Sequence, residues 1–214
     1  MFTTRIAVAT ALVAAALPST AGAFQDLRSP DTRDAAARAT LGLDAAAARV
    51  AARPTLAEKL ALARSATAKY ATNLKLAKAD GYRIITRSIP NMGYHFLNPE
   101  VQGFDVRRPA ILVYVRDDRD WQLGALEWVF PERPAEPPIE GAQYGSFGAA
   151  CHYVDGTFVF AGAEAECAPR SPESGARFSF WHPDLVTLHI WLWYPNPDGL
   201  YASENPLVAP FNEA

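Results

Sequence analysis

The sequence predicts an α+β fold, in which N-terminal helices precede a mainly antiparallel β-sheet arranged as a sandwich or a small barrel. Alanine and helical periodicity dominate the chain before Gly81, whereas strand-like segments rich in β-branched and aromatic residues dominate after it. Helical and strand segments are therefore segregated along the chain rather than alternating, which favours α+β over a parallel α/β fold. No internal repeat is visible.

The first 23 residues have the features of a signal peptide. Arg5 precedes an uncharged apolar run over residues 6–17, Pro18 follows it, and Ala21-Gly22-Ala23 supplies the small residues that signal peptidase accepts. We expect cleavage near Ala23 and a periplasmic or secreted protein. A retained amphipathic anchor is the alternative. The run is shorter than the roughly 20 residues of a membrane helix, and no later segment is longer, so we expect no membrane span.

The rest of the chain suits one domain. Residues 24–53 form an alanine-rich segment with helical propensity but little apolar bulk, and residues 54–214 are expected to form a single α+β domain. The formal net charge of the whole chain is −3, and there is no block of basic residues. Nucleic acid and anionic membranes are therefore poor candidates as partners, and no feature identifies a protein partner.

The predicted helical region begins at a capping box. Thr55 and Glu58 have the spacing with which each side chain caps the backbone of the other, and Gly81 stands where the helical region is expected to end. Apolar and small side chains recur between them at steps of three and four residues, which predicts a stripe that packs on the core. The stripe comprises Leu56, Leu60, Thr67, Tyr70 and Leu74.

Segments typical of β-strands follow Gly81. Residues 109–115 and 121–130 are expected to pair as a hairpin through the charged residues 116–120, and four prolines within residues 131–138 predict an extended surface connection. Further strands are predicted over residues 82–86, 156–160 and 185–194.

Cys151 and Cys167 are the only cysteines of the chain. In an oxidising compartment we expect them to form a disulfide that closes a hairpin-like excursion and stabilises the fold by about 3 kcal/mol. The alternative is a metal-ligand pair of Cys151 and His152. There is no Cys-x-x-Cys-His motif, so no covalent haem is expected.

Two of the four histidines lie in unusual aromatic segments, which we expect to be loops that converge. His95 belongs to residues 91–99, with sequence NMGYHFLNP, and His189 to residues 188–199, with sequence LHIWLWYPNPDG. Alternation along a strand over residues 185–194 would place His189 on one face with Trp191 and Trp193. Glu127 shares a predicted buried face of its own strand, where a carboxylate needs a partner.

These residues suggest a metal site made of His95, Glu127 and His189, with His182 as a fourth candidate ligand. Two imidazoles and a carboxylate are the ligand set of zinc and of non-haem iron, and copper would also use the Met92 thioether. The alternative is a structural or interaction module without metal, in which the histidines form hydrogen bonds inside an aromatic core.

A small-ligand site is a further interpretation of the same segments. Large aromatic side chains would line an apolar or sugar-binding cleft, with the two histidines orienting the ligand. The sequence therefore predicts an exported protein that binds a metal ion or small ligand, with catalytic use undecided. No Gly-x-Ser-x-Gly motif and no Walker or Rossmann glycine pattern occurs, so no serine hydrolase and no nucleotide cofactor is expected. The predicted lining comprises Met92, Tyr94, Trp191 and Trp193, together with Trp181 and Tyr201.

Taken together, the motifs resemble those of an uncharacterised family of secreted bacterial proteins. The resemblance rests on MGYHxxNP from Met92, on HxWLWxxNPDG from His189, and on a terminal Asn205-Pro206, and it covers about residues 81–206. It implies export and treats the two motifs as parts of one module, but it supplies no catalytic roles. The chain departs from the family pattern at Asn91, where glycine is expected, and at Ser203-Glu204, which replaces a more compact ending that contains proline.

Overall fold

The computed structural model describes residues 53–117 and 120–211, so the predicted signal peptide and residues 24–52 lie outside the described residues. The described helices are α1 (Leu56–Thr67) and α2 (Leu74–Ala79), with short 3₁₀ turns at Ala68–Tyr70, Glu164–Glu166 and Pro206–Phe211. The described strands are β1 (Arg83–Ile89), β2 (Gly93–Leu97), β3 (Ile111–Asp117), β4 (Asp120–Phe130), β5 (Gly145–Phe147), β6 (Ala150–Tyr153), β7 (Phe158–Phe160), β8 (Phe178–His182) and β9 (Leu185–Ile190).

The helical region begins and ends where the sequence predicts. The Thr55 hydroxyl accepts a hydrogen bond from the Glu58 backbone N–H at 3.3 Å, and the Glu58 carboxylate accepts one from the Thr55 backbone N–H at 2.8 Å, which confirms the capping box. Between its ends the region is interrupted, because the Asn73 side chain caps a second helix by accepting from the Leu76 N–H. Gly81 follows α2 with φ of +100°, a conformation that favours glycine.

Two antiparallel sheets make up the strand region. Sheet A has six strands in the order β1-β2-β3-β4-β9-β5, and sheet B has three in the order β7-β6-β8. The predicted α+β class, with helices before a mainly antiparallel sheet, is confirmed. The predicted hairpin is also confirmed as β3 and β4, which pair from Ile111 opposite Glu127 to Asp117 opposite Asp120.

The segment around His95 is a strand rather than the expected loop. β2 lies between β1 and β3, and it is reached through a tight turn in which Asn91 and Gly93 both have positive φ. A Cβ at Gly93 would come within 2.4 Å of the Tyr114 carbonyl oxygen, so only glycine allows the two strands to pair this closely. Gly93 therefore allows β2 to pair with β3 at the start of the strand.

The six-stranded sheet has two different faces. On one face, Leu112, Leu126 and Trp128 pack in one core cluster with Tyr70 and Leu74 of the helical region. The predicted helical stripe therefore packs on the core, as expected. Because side chains alternate along a strand, the residues next to Leu112 and Leu126, among them Ile111 and Glu127, point to the opposite face of the sheet.

The three-stranded sheet carries the disulfide. Cys151 in β6 is bonded to Cys167, which follows the 3₁₀ turn beyond β7, so the predicted disulfide is confirmed. Because Cys151 is oxidised, it offers no thiolate, and the alternative pairing of Cys151 with His152 as metal ligands is wrong. Within residues 53–117 and 120–211, no helix has the length and apolar character needed to cross a membrane.

Candidate functional site

A cavity of about 340 Å³ lies between the two sheets and gathers the ionisable groups that the sequence singled out. All four histidines of the chain line it, together with Glu127. Most of the other lining side chains are apolar, with a few hydroxyl and amide groups between them. The apolar lining includes Ile85, Ile89, Met92, Leu97, Ile111, Val129, Phe147, Phe180 and Leu185.

The register of the large sheet explains why residues far apart in sequence meet here. Ile111 of β3 pairs with Glu127 of β4, and Glu127 pairs with His189 of β9, so the three form a row across one face. His95 reaches the same region from β2, and its Nε2 lies 3.9 Å from Glu127 Oε2. The structure therefore brings together His95, Glu127 and His189, a group that we call the sheet A cluster.

Burial sets the charge of the sheet A cluster. It raises the pKa of Glu127 to about 7, against a smaller lowering by a hydrogen bond from the Thr187 side chain. Burial also lowers the pKa of His95 to about 4 and that of His189 to about 3. Near pH 7 both imidazoles are therefore neutral, and burial favours the protonated form of Glu127 up to a far higher pH than for an exposed carboxyl group.

The two imidazoles of this cluster differ in how they are held. Thr86 Oγ1 lies 2.7 Å from His95 Nδ1 and also accepts the His95 backbone N–H at 3.2 Å, which fixes the ring with Nε2 on the Glu127 side. His189 is 6% exposed, and neither ring nitrogen has a hydrogen-bond partner among the described residues. Its ring packs edge-on against Trp191, with centroids 4.9 Å apart.

The opposite wall holds the other two histidines, which we call the sheet B pair. His152 of β6 and His182 of β8 approach each other with their Nε2 atoms 3.0 Å apart. His152 Nδ1 lies 2.8 Å from the Ile85 carbonyl oxygen, and His182 Nδ1 lies 2.6 Å from the Pro183 carbonyl oxygen. Burial lowers the pKa of His152 to about 4. Phe180 stacks on the His152 ring, with centroids 4.7 Å apart and planes 7° apart.

The predicted lining is found only in part. Met92 and Tyr201 line the cavity, whereas Tyr94 packs against Trp121 on the helix-covered side of the sheet. Alternation accounts for the place of Tyr94, because it precedes His95 directly and must point to the other face.

The three tryptophans of the predicted lining also lie outside the cavity lining. Trp191 contacts the His189 ring but packs in a separate core cluster. Trp193 lies on the helix-covered side, where its Nε1 donates to Thr67 Oγ1 at 3.0 Å. The reason is that β9 ends at Ile190, and the backbone N–H groups of Trp193 and Tyr194 both donate to the Gly124 carbonyl, which breaks the predicted alternation. Trp181 is likewise outside the lining and donates to the Ala161 carbonyl.

In the described part of the chain, no three or more His, Cys, Asp or Glu side chains form a group arranged to hold a metal ion. His182 lies in the sheet B pair rather than with the other three predicted ligands. Metal binding by His95, Glu127, His189 and His182 therefore stays a prediction.

Several groups of the cavity were not predicted from the sequence. His152 was considered only as a partner of Cys151, and the hydroxyls of Thr86 and Thr187, which contact His95 and Glu127, were not singled out. Strand alternation could have found Thr187, because it lies two residues before His189 on the same face. Comparisons of the chain with protein-family models, with curated proteins and with solved structures find no match.

Proposed function

We propose that the protein binds a small, largely apolar molecule in the cavity between its two sheets, with a polar group of that molecule at the sheet A cluster. The observation that carries this proposal is the convergence of all four histidines and Glu127 on an otherwise apolar cavity of about 340 Å³. This volume lies at the lower end of the roughly 300–1,000 Å³ that small-molecule sites occupy.

The state of His189 supports ligand binding over a purely structural role. Buried polar groups in proteins are usually paired, and leaving one unpaired costs about 1–3 kcal/mol. In the described structure neither nitrogen of His189 has a hydrogen-bond partner, although the residue lines the cavity. A structural module would favour an apolar side chain at this position, whereas a binding site requires the polar one.

The chemistry of the cluster indicates the class of ligand. A neutral imidazole offers one N–H donor and one acceptor nitrogen, and a carboxyl group with a pKa of about 7 can donate or accept near neutral pH. Anionic ligands are disfavoured, because burial opposes the protonation of His95 and His189 that would balance their charge. The best fit is an uncharged ring or short chain that carries one group able both to donate and to accept, such as an amide or a phenol.

The proposal includes export to an oxidising compartment, such as the periplasm or the cell exterior. The Cys151–Cys167 disulfide supports it, since disulfides persist mainly in such compartments. Fractionation of cells that express the full chain, with mass spectrometry of the mature N-terminus, tests this part.

A panel of small probes tests the binding proposal directly. Benzamide, phenol and indole serve as neutral probes, with benzoate and benzylamine as charged ones, and binding is measured by calorimetry and NMR at pH 7. We expect a neutral probe to bind one site per chain and the His189→Phe variant to bind it at least tenfold more weakly. Trp193→Phe is the matched control, because Trp193 lies on the opposite face. Equal affinity in His189→Phe, or no binding by any neutral probe, contradicts the proposal.

A further inference from the structure

The sheet B pair has an arrangement that two neutral imidazoles do not satisfy. A backbone carbonyl oxygen can only accept a hydrogen bond, so the contacts to Ile85 and Pro183 require a proton on Nδ1 of both His152 and His182. A neutral imidazole carries one proton. Both Nε2 atoms are then unprotonated, and their lone pairs face each other at 3.0 Å.

Two facing lone pairs repel unless a positive centre lies between them. Metal-bound histidines commonly donate their other ring N–H to a backbone carbonyl, which fixes the tautomer and orients the free nitrogen. His152 and His182 both do this. Nearby phenyl rings also restrict the two imidazoles, with Phe180 stacked on His152 and Phe147 5.6 Å from His182.

We propose that His152 and His182 bind one late first-row transition-metal ion through their Nε2 atoms. This site lies apart from His95, Glu127 and His189 and shares only His182, the fourth candidate ligand, with the predicted metal set. Two imidazole nitrogens at about 2.0 Å from a common ion stand about 2.8 Å apart at a right angle and about 3.3 Å apart at the tetrahedral angle. The observed Nε2–Nε2 separation of 3.0 Å lies between these values.

The remaining coordination positions face the cavity, because both histidines line it. Imidazole nitrogens suit copper, zinc and nickel, and divalent copper has the highest affinity in the first-row series. The site has two protein ligands and open positions, so solvent or a cavity ligand completes it. This inference does not depend on the small-ligand proposal, since the two proposals use opposite walls.

Copper titration of the full chain, purified without a histidine tag and stripped with a chelator, tests the inference. All four histidines of the chain line the cavity, so no imidazole outside it competes for the ion. We expect one Cu²⁺ per chain, with an electron paramagnetic resonance spectrum that shows two nitrogen ligands. His182→Phe and His152→Phe should each weaken binding at least tenfold, while Trp181→Phe, a neighbour outside the cavity lining, should bind as the parent does.

Two further variants separate this site from the predicted one. His95→Gln and His189→Phe should keep copper if the sheet B pair holds it, whereas loss of copper in these variants with retention in His182→Phe overturns the inference. His182 is half-buried, so its variant is expected to fold, and near-ultraviolet circular dichroism checks this. The inference is also overturned if the parent protein binds no stoichiometric copper. In that case ¹⁵N spectra should show one proton shared between the two Nε2 atoms.

Discussion

The two faces of the six-stranded sheet differ in their surroundings: one forms a closed core, and the other borders the cavity in which we propose that a small molecule binds. The helix-covered face is closed, with Leu112, Tyr114 and Trp128 fully buried and the Tyr114 hydroxyl donating to the Tyr70 carbonyl. The cavity face carries Glu127, whose ionisation is opposed by burial. It also carries His189, whose buried ring nitrogens have no hydrogen-bond partner among the described residues. Because alternate residues of the same strands form both faces, the rigid side fixes the positions of the groups on the other.

Truncation of neighbouring residues on β3 should give the largest difference between the faces. Leu112 is 0% exposed on the closed face, and Ile111 is 4% exposed beside the cavity. Leu112→Ala should lower the free energy of unfolding by about 3–5 kcal/mol, because it leaves a hole in a packed core. Ile111→Ala removes the same number of carbon atoms but opens into existing space, so it should cost less, about 2 kcal/mol, at the lower end of the range for such truncations. Urea unfolding of both variants makes the comparison, and equal costs would contradict it.

Removal of the disulfide should have the next largest effect on stability, and it should act on the opposite wall of the cavity. The Cys151–Cys167 bond closes a loop with a sequence separation of 16, for which loop entropy predicts a stabilisation of about 3 kcal/mol. A Cys151→Ala/Cys167→Ala variant should therefore unfold at lower urea concentration. Hydrogen exchange should increase in β6 and β7 before it increases in β3 and β4. An equal increase in hydrogen exchange in both sheets would show that the two walls of the cavity unfold together.

Acid should lower the free energy of unfolding, because the imidazoles of the cavity face resist protonation in the folded state. The pKa values of His95 and His189 are lowered in the folded state. Below about pH 6.5 the unfolded chain therefore binds protons that the folded chain does not. As the pH falls, each of these two histidines lowers the free energy of unfolding by up to about 1.4 kcal/mol per pH unit. Glu127, whose folded pKa is raised to about 7, acts in the opposite direction between about pH 4.5 and 7.

Glu127→Gln removes that opposing effect. Its stability should therefore fall more steeply than that of the parent between pH 6.5 and 4.5, by about 1.4 kcal/mol per pH unit. Urea unfolding at several pH values measures both slopes. Parallel slopes would mean that Glu127 ionises in the fold as it does in the unfolded chain.

The sequence predicted the closed face better than the cavity face, for a physical reason. Periodicity and capping report local preferences, and they predict the N-cap of α1 at Thr55 and the β3–β4 hairpin. The disulfide follows from the presence of two cysteines in a chain expected to be exported. The closed face needs only that apolar side chains alternate correctly. The meeting of Glu127 with His189, by contrast, depends on the register between β4 and β9, which no local pattern encodes.

The errors had the same origin. The aromatic segment around His95 is the strand β2 rather than the expected loop, and the close approach of Tyr114 requires its glycine, Gly93. The tryptophans after His189 were placed by extending the strand beyond Ile190, where the backbone already departs from it. Which wall a side chain joins is decided by tertiary contacts that appear only when the strands are paired.

Replacement of His189 by phenylalanine should give the smallest effect and the one of opposite sign. The phenyl ring keeps the edge-on contact with Trp191 and removes two buried nitrogens that have no hydrogen-bond partner among the described residues. Unfolding at pH 7 should therefore require about 1 kcal/mol more free energy than in the parent, while neutral probes bind at least tenfold more weakly. A gain in stability with a loss of binding identifies a side chain retained for function rather than for the fold. If His189→Phe instead destabilises the protein, the imidazole has a structural partner and the two faces of the sheet are more alike than their contacts indicate.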